Sequence, residues 1–137
     1  MANEIFADTS GFYAILVKED DRHRTALRVL KDSQRRKRGF ITTDYVLDET
    51  ATLLQARGFT HLLDQFFQIV EKSHACRIEW MDPERFKETK ALFFKHSDQG
   101  WSFTDSFSFL LMKKFRLRDA LTKDVHFKHA GLNVLLK

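Results

Sequence analysis

Residues 5–10 read IFADTS, a short apolar run that ends in an acid and two hydroxyl residues. A second run of this kind, ALTKD, occupies residues 120–124 near the other end of the chain. Such short apolar runs are typical of buried strands in a parallel sheet. Because ligands bind beyond the carboxyl ends of parallel strands, we expect Asp8 and Asp124 to project from one edge of a sheet. Each aspartate would also suit a plain loop start, through Asx-turn bonding.

Strand-like and helix-like segments alternate along the chain. The expected strands lie at residues 3–7, 40–42, 77–80, 119–122 and 133–136, and the expected helices at residues 11–16, 22–37, 44–57, 60–73, 83–95 and 103–115. This alternation predicts an α/β fold with a mostly parallel sheet of about five strands and helices on both faces. No Pro-, Ser- or Gly-rich linker and no repeat interrupts the sequence, so residues 1–137 are expected to form a single domain.

Composition narrows the class of protein. The 43% hydrophobic content suits a globular protein, and most of the 14 Phe are expected in its core. The single cysteine, Cys76, excludes an internal disulfide and a Cys-based zinc site, and it fits a reducing cytoplasm. We find no apolar run of membrane-spanning length and no signal peptide, and therefore expect no membrane association. A net charge of +4 favours an anionic partner, most often nucleic acid.

A third acid, Glu49, lies on an otherwise apolar helix. At about 100° per residue, the apolar side chains of residues 46–54 form one broad stripe, and Glu49 falls beside Leu53 at its rim. Its neighbour Asp48 is expected on the far, solvated side and serves as a comparison. A rim glutamate that bonds to a nearby lysine or helix end is the structural alternative for Glu49.

A fourth acid, Asp105, opens another apolar helix. The sequence SFTD at residues 102–105 matches the capping box, in which the acid bonds back to the cap amide. Capping would by itself explain Asp105, but an acid at the mouth of a buried helix also suits a cleft. Carboxylates gathered at one place raise one another's pKa, and a divalent cation removes that penalty. The acids that together predict a Mg²⁺ or Mn²⁺ site are Asp8, Glu49, Asp105 and Asp124.

Four segments resemble the motifs of the PIN-domain nucleases, and within them the VapC-like toxins of prokaryotic toxin–antitoxin pairs. The segments are FADTS at 6–10, TTDYVLDET at 42–50, SFTD at 102–105 and LTKDVHF at 121–127. Each is short, but they follow the family's order and cover essentially the whole chain. The resemblance implies a PIN-like three-layer α/β/α sandwich and a Mg²⁺- or Mn²⁺-dependent endoribonuclease that cleaves RNA phosphodiester bonds as the toxin of such a pair.

The resemblance also implies roles for individual residues. It places the catalytic, metal-binding quartet on the four acids named above. Thr9, Ser10 and Thr104 fall where the family has hydroxyl residues that support the acids. Asp98 fits a further acid before the third motif, although HSDQG at residues 96–100 is equally a plain polar turn. The expected products carry 5′-phosphate and 3′-hydroxyl ends.

Other side chains are candidates for holding RNA. A basic stretch offers phosphate contacts, unless it is an ordinary solvated helix face or an antitoxin surface; it comprises Arg22, Arg24, Arg28, Lys31, Arg35, Arg36, Lys37 and Arg38. Trp101, in the loop before Asp105, is expected to stack on bases, whereas Trp80 is expected in the core. His126 and His129 have a spacing that zinc sites use, but without a nearby Cys or further His we predict no zinc.

Partners and alternatives follow from the same resemblance. The partners implied are an RNA substrate, a small antitoxin protein and a second copy of the chain in a homodimer. The alternatives left open are a non-toxin RNA-processing PIN nuclease and a non-catalytic PIN-fold module that binds nucleic acid or protein. A phosphatase of the haloacid-dehalogenase type is disfavoured, because Ser10 stands where those enzymes have the second aspartate of their D-x-D motif.

Overall fold

The computed structural model describes residues 3–137. Its five strands are β1 Ile5–Ala7, β2 Phe40–Thr43, β3 Cys76–Glu79, β4 Asp119–Leu121 and β5 Asn133–Val134. They form one sheet in the order β3-β2-β1-β4-β5, and the four pairings between neighbouring strands are parallel. The prediction of a five-stranded parallel sheet is therefore confirmed.

Helices cover both faces of this sheet. They are α1 Thr9–Leu16, α2 His23–Arg35, α3 Asp44–Ala56, α4 Leu63–Lys72, α5 Pro83–Lys95, α6 Phe103–Lys114 and α7 Val125–His129. The first four helices pack on one another, as do the last three. Right-handed crossovers explain the division, because the chain moves outward in one direction through β2 and β3 and then returns past β1 to β4 and β5. The three-layer prediction is confirmed.

Most helix boundaries follow from local chemistry. Asp82 caps α5 by accepting a hydrogen bond from the Arg85 amide at 2.7 Å, and Pro83 occupies the first turn. The exception is α7, which the sequence did not predict because five residues are too few to show a helical period. Asp124 caps it, so the acid that was expected to follow a strand also begins a helix.

Seven of the 14 phenylalanines are buried in the core, fewer than the sequence predicted. Phe6, Phe66, Phe107 and Phe127 are fully buried, whereas Phe94 is 68% exposed. The prediction that Trp80 lies in the core is wrong, because its side chain is 59% exposed. It follows the end of β3, which is an edge strand, so few neighbours are available to cover it.

The direction in which successive strands are added to the sheet changes between β1 and β4. These two strands are neighbours, with Ala7 opposite Leu121, and the amide of Asp8 donates to the Leu121 carbonyl at 3.2 Å. Gly11 permits this close approach, since a Cβ at that position would collide with the same carbonyl oxygen. Crevices of this kind, at a switch point of an α/β sheet, are where ligands bind. Among residues 3–137, no helix is long and apolar enough to cross a membrane.

Candidate active site

Asp8 stands at the carboxyl end of β1, directly before α1. Its side chain is buried, with 5% exposure, and its Oδ2 accepts a hydrogen bond from Thr122 Oγ1 at 2.9 Å. Burial, with smaller contributions from the charges of Asp105 and Glu49, raises the pKa of Asp8 from 3.8 to about 7, against the hydrogen bonds from Thr122 and the Thr9 amide. A carboxyl group in this position is ionised with difficulty unless a cation compensates it.

A network of hydroxyl groups connects Asp8 to the turn after β4. Thr122 Oγ1 accepts a hydrogen bond from the Asp124 amide at 3.0 Å and lies 3.1 Å from Ser10 Oγ. Ser10 Oγ in turn accepts from the Lys123 amide at 2.9 Å. Thr122 was not singled out by the sequence analysis, although it lay within the fourth motif. It fixes Asp8 and Asp124 relative to each other.

Glu49 lies on α3 and is connected by a hydrogen bond to the residue that follows Asp8. Thr9 Oγ1 donates a hydrogen bond to Glu49 Oε1 at 2.6 Å, and the buried Thr50 Oγ1 donates to Thr9 Oγ1 at 3.3 Å. The exposed Asp48 lies beside Glu49 and lines the same cleft. Asp48 is therefore solvated, as predicted. The helical periodicity had placed it away from the site, whereas in the structure it lines the cleft.

Asp105 lies in the first turn of α6 and forms the predicted capping box. Its amide donates to Ser102 Oγ at 2.9 Å, and its own Oδ2 accepts from the Ser102 amide at 3.3 Å. Its exposure is only 8%. Burial raises the pKa of Asp105 against the Ser102 hydrogen bond, and the charge of Asp124 raises it further. Asp105 is thus both a helix cap and a buried acid beside other acids.

A histidine joins two of the acids. His126 Nδ1 lies 3.3 Å from Asp105 Oδ2 and 3.6 Å from Asp124 Oδ1. One ligand atom from each of these three residues lies within 4.8 Å of the others, so the group is able to hold a metal ion. In the sequence, His126 is distinguished only by its spacing from His129, which is not part of this group. Its position two residues after Asp124, at the start of a short helix, was the signal that was missed.

A cleft of about 1170 Å³, hereafter the acidic cleft, opens beside Asp8, Glu49 and Asp124. Its acids are Asp8, Asp20, Asp48, Glu49 and Asp124. Thr9, Ser10 and Thr104 also line it, whereas Asp105 lies outside its lining, next to Thr104. Three of the four predicted acids therefore meet at one cleft, and the fourth approaches it through Asp124 and His126.

Two further candidates lie elsewhere. Asp98 is exposed on the 3₁₀ turn Ser97–Gln99 and does not line the acidic cleft. Trp101 packs edge-on against Phe109, with ring centroids 4.7 Å apart, and its other neighbour is His96 at 4.6 Å. These contacts place the indole mainly in the structural packing around α6.

Most of the basic stretch lies outside the acidic cleft. Only Arg22 lines the acidic cleft. Arg35 and Arg36 pair with Asp32 on α2, and Arg38 pairs with Asp119 at 2.9 Å. The remaining basic residues lie along α2 or just beyond it, away from the acidic cleft; they are Arg24, Arg28, Lys31 and Lys37.

Comparison with known proteins identifies the class. The sequence matches the PIN domain family over residues 5–132, and the chain belongs to that family. It is similar to the 23S rRNA-specific endonuclease VapC20 from two strains of Mycobacterium tuberculosis: 30% identity over 127 residues, covering 93% of this chain and 94% of VapC20. The crystal structure of Mycobacterium tuberculosis VapC20, described as a Sarcin-Ricin loop cleaving toxin, matches with a TM-score of 0.84 and 29% identity over 94% of this chain and 96% of that one. The VapC-like resemblance inferred from the four motifs is confirmed.

Proposed function

We propose that this protein is a metal-dependent endoribonuclease that acts as the toxin of a toxin–antitoxin pair and cleaves 23S ribosomal RNA. The observation that carries the proposal is the meeting of Asp8, Glu49 and Asp124 at one cleft, with Asp105 next to them. The similarity to VapC20 along nearly the whole chain supports the substrate class. A hairpin with the sequence of the sarcin–ricin loop is therefore the first substrate to test.

The donor set fits a divalent cation. Asp105, Asp124 and His126 offer two carboxylate oxygens and one imidazole nitrogen within reach of a single ion. Asp8 and Asp105 both have raised pKa values, as expected of acids that lack their compensating charge. The ion would be Mg²⁺ or Mn²⁺, and a nitrogen ligand favours Mn²⁺. When bound, such an ion activates a water molecule and stabilises the leaving oxygen.

The chain's own residues position the reacting groups. Thr122 holds Asp8 Oδ2, and Thr9 holds Glu49 Oε1, so both acids face the acidic cleft in fixed orientations. Ser10 ties the Lys123 amide to the start of α1, which keeps Asp124 close to Asp8. The scissile phosphate would enter between the α1–α3 wall and the turn after β4, because the acidic cleft opens between these segments.

The toxin assignment implies a small antitoxin protein that blocks this cleft, and a homodimer as the functional unit. Both follow from the VapC-like class. Expression of the chain alone should arrest bacterial growth, and co-expression of the adjacent small gene product should relieve the arrest. Growth that continues normally, with RNA cleavage intact in vitro, would favour a non-toxin RNA-processing nuclease.

The direct test is cleavage of purified ribosomes, total RNA and a synthetic sarcin–ricin hairpin in the presence of Mn²⁺, Mg²⁺ or EDTA. Asp8→Asn is the inactive comparison, and Asp64→Asn, an exposed acid on α4, is the matched control. Metal-dependent cuts in the hairpin that vanish only in EDTA and with Asp8→Asn would support the proposal. Cuts confined to other RNAs would change the substrate, and RNA binding without any cutting would favour a non-catalytic module.

A further inference from the structure

A second cavity adjoins the acidic cleft and carries the opposite charge. This cavity of about 770 Å³, hereafter the basic cavity, lies between the start of α2, α7 and the segment that contains β5. Its charged residues are Arg22, Asp119, Lys123, Lys128 and Lys137. Asp119 is already paired, because it accepts hydrogen bonds from Arg38 and from Asn133, each at 2.9 Å. The bases therefore dominate the cavity.

Two residues belong to both cavities. Arg22 and Lys123 line the acidic cleft on one side and the basic cavity on the other. Lys123 is the neighbour of Asp124, so the change from acidic to basic surface takes place within one residue of a proposed metal ligand. A ligand that fills both cavities must pass over this pair.

The guanidinium of Arg22 has no hydrogen-bond partner among residues 3–137. Its Nε is buried without a hydrogen-bond acceptor, and neither Arg22 nor Lys123 forms an ion pair with any residue among 3–137. A buried donor without an acceptor is destabilising, which indicates that an acceptor is supplied from outside the chain. Phosphate oxygens match the planar fork of an arginine.

We propose that the basic cavity binds the phosphates of the RNA strand on one side of the scissile bond, with Arg22 and Lys123 at the point of entry. The inference rests on the proposed nuclease function and adds where the strand runs. The acids alone would repel a polyanion, whereas a row of bases immediately beside them attracts it. Val125, which is 52% exposed at the edge of the cavity, supplies an apolar contact for a ribose or base.

The test compares exposed lysines inside and outside the basic cavity. Lys123→Glu and Lys128→Glu are measured against Lys90→Glu, an exposed lysine on α5 that lies outside both cavities. Binding of a fluorescein-labelled sarcin–ricin hairpin is followed by anisotropy with each change placed in the Asp8→Asn chain, so that cleavage does not interfere. Cleavage of the same hairpin is followed with each change in the wild-type chain.

The expected result separates the three lysines. Lys123→Glu and Lys128→Glu should each weaken binding about tenfold and lower the slope of log Kd against log salt by about 0.7 to 0.9 per lost phosphate contact, whereas Lys90→Glu should change neither. Arg22→Gln should weaken binding similarly, and Arg22→Lys should restore only part of it. Unfolding curves identify any variant that has lost its fold, and the exposed lysines keep the test valid if Arg22 variants do not fold.

Two outcomes would overturn the inference. Equal Kd values and equal salt slopes for Lys128→Glu and Lys90→Glu, in a protein that still cleaves the hairpin, would show that the strand does not use the basic cavity. Weakened binding of a purified antitoxin, with RNA binding unchanged, would assign the cavity to that protein instead. If the wild-type chain cleaves no RNA at all, the proposed function fails. The binding data then still test whether the basic cavity binds RNA, because they do not depend on cleavage.

Discussion

Acidic residues at the amino edge of the sheet have different partners from the four candidate acids at its carboxyl edge. At the amino edge, acids meet bases: Arg38 bridges Asp119 and the carbonyl of Asn3, and Arg77 pairs with Glu4. At the carboxyl edge, none of the four candidate acids forms an ion pair with a lysine or arginine among residues 3–137. The partners there are hydroxyl groups, backbone amides and one histidine.

The pKa values reflect this difference. Hydrogen bonds from Asn133 and Arg38 outweigh the effect of burial and lower the pKa of Asp119, so ionisation of this acid stabilises the fold. Burial raises the pKa of Asp8 to about 7, so its ionisation destabilises the fold. Ion pairs therefore stabilise the structure at the amino edge, whereas the four candidate acids at the carboxyl edge gather negative charge that suits a cationic ligand.

The largest effect that this comparison predicts is on catalysis. Asp8→Asn should reduce the rate of RNA cleavage by about 10³-fold or more, because it removes a central carboxylate while keeping the side chain's shape. Asp119→Asn at the other edge should change the rate far less, when both are assayed below their unfolding temperatures. The measurement is a time course on the sarcin–ricin hairpin with Mn²⁺, and comparable losses in the two variants would remove the distinction between the edges.

The second effect concerns stability without metal. Because the folded-state pKa of Asp8 lies above its ordinary value of 3.8, the wild-type protein should lose stability as pH rises from about 4 to about 7. Asn carries no charge, so Asp8→Asn should be more stable than wild type at pH 8 in EDTA by about 2–4 kcal/mol, and the two should converge near pH 4. Urea unfolding at both pH values checks this, with Asp64→Asn as the control. An Asp8→Asn chain that is less stable at pH 8 would contradict it.

The third effect concerns the hydroxyl network around Thr122. Thr122→Val should slow cleavage about 10- to 100-fold, because it removes the donor to Asp8 and the acceptor for the Asp124 amide. Thr122→Ser should recover most of the rate. Thr89→Val is the matched control, since Thr89 is equally buried but its hydroxyl has no partner among residues 3–137. It should leave the rate unchanged and stability equal or higher.

The smallest effect is expected at the amino edge. The pKa of Asp119 is lowered in the fold, so its stabilising contribution is present above its unfolded-state pKa and is lost as pH falls through the folded-state pKa. Asp119→Asn should therefore lower the free energy of unfolding by about 1 kcal/mol at pH 7, and the difference should shrink towards pH 3. Chemical unfolding across this range measures it. A difference that is the same at every pH would point to lost packing instead of lost charge.

The fold was largely predictable because its signals are local. The apolar runs at residues 5–7 and 120–121 end where β1 and β4 end, and the capping box of Ser102 and Asp105 and the Asp82-Pro83 pair set the starts of α6 and α5. Helix α7 was missed because its cap, Asp124, was interpreted as a residue that follows a strand. A helix of five residues is also too short to show a helical period in the sequence. Trp80 was misplaced because alternation along β3 does not reveal that this strand lies at the sheet edge.

The site was predictable only in part, for a similar reason. Asp8 and Asp124 followed from strand ends, and Glu49 from its position on the rim of α3. His126 and Thr122 could not be ranked, because their roles depend on contacts with Asp105 and Asp8, which lie 21 and 114 residues away. The role of the basic stretch in RNA binding stays a prediction; Arg35 and Arg36 pair with Asp32 on the same helix, whereas sequence order does not indicate the pairing of Arg38 with Asp119.

Mn²⁺ binding is the most direct test of whether the acids at the carboxyl edge form a metal site. Isothermal titration of the wild-type chain, Asp105→Asn, His126→Gln and Asp119→Asn would compare the two edges in one experiment. We expect that wild type and Asp119→Asn bind Mn²⁺ with similar affinity, that Asp105→Asn loses binding, and that His126→Gln weakens it. Equal binding by Asp105→Asn and wild type, or no binding by any of the four, would contradict the claim that the unpaired acids at the carboxyl edge form a metal site.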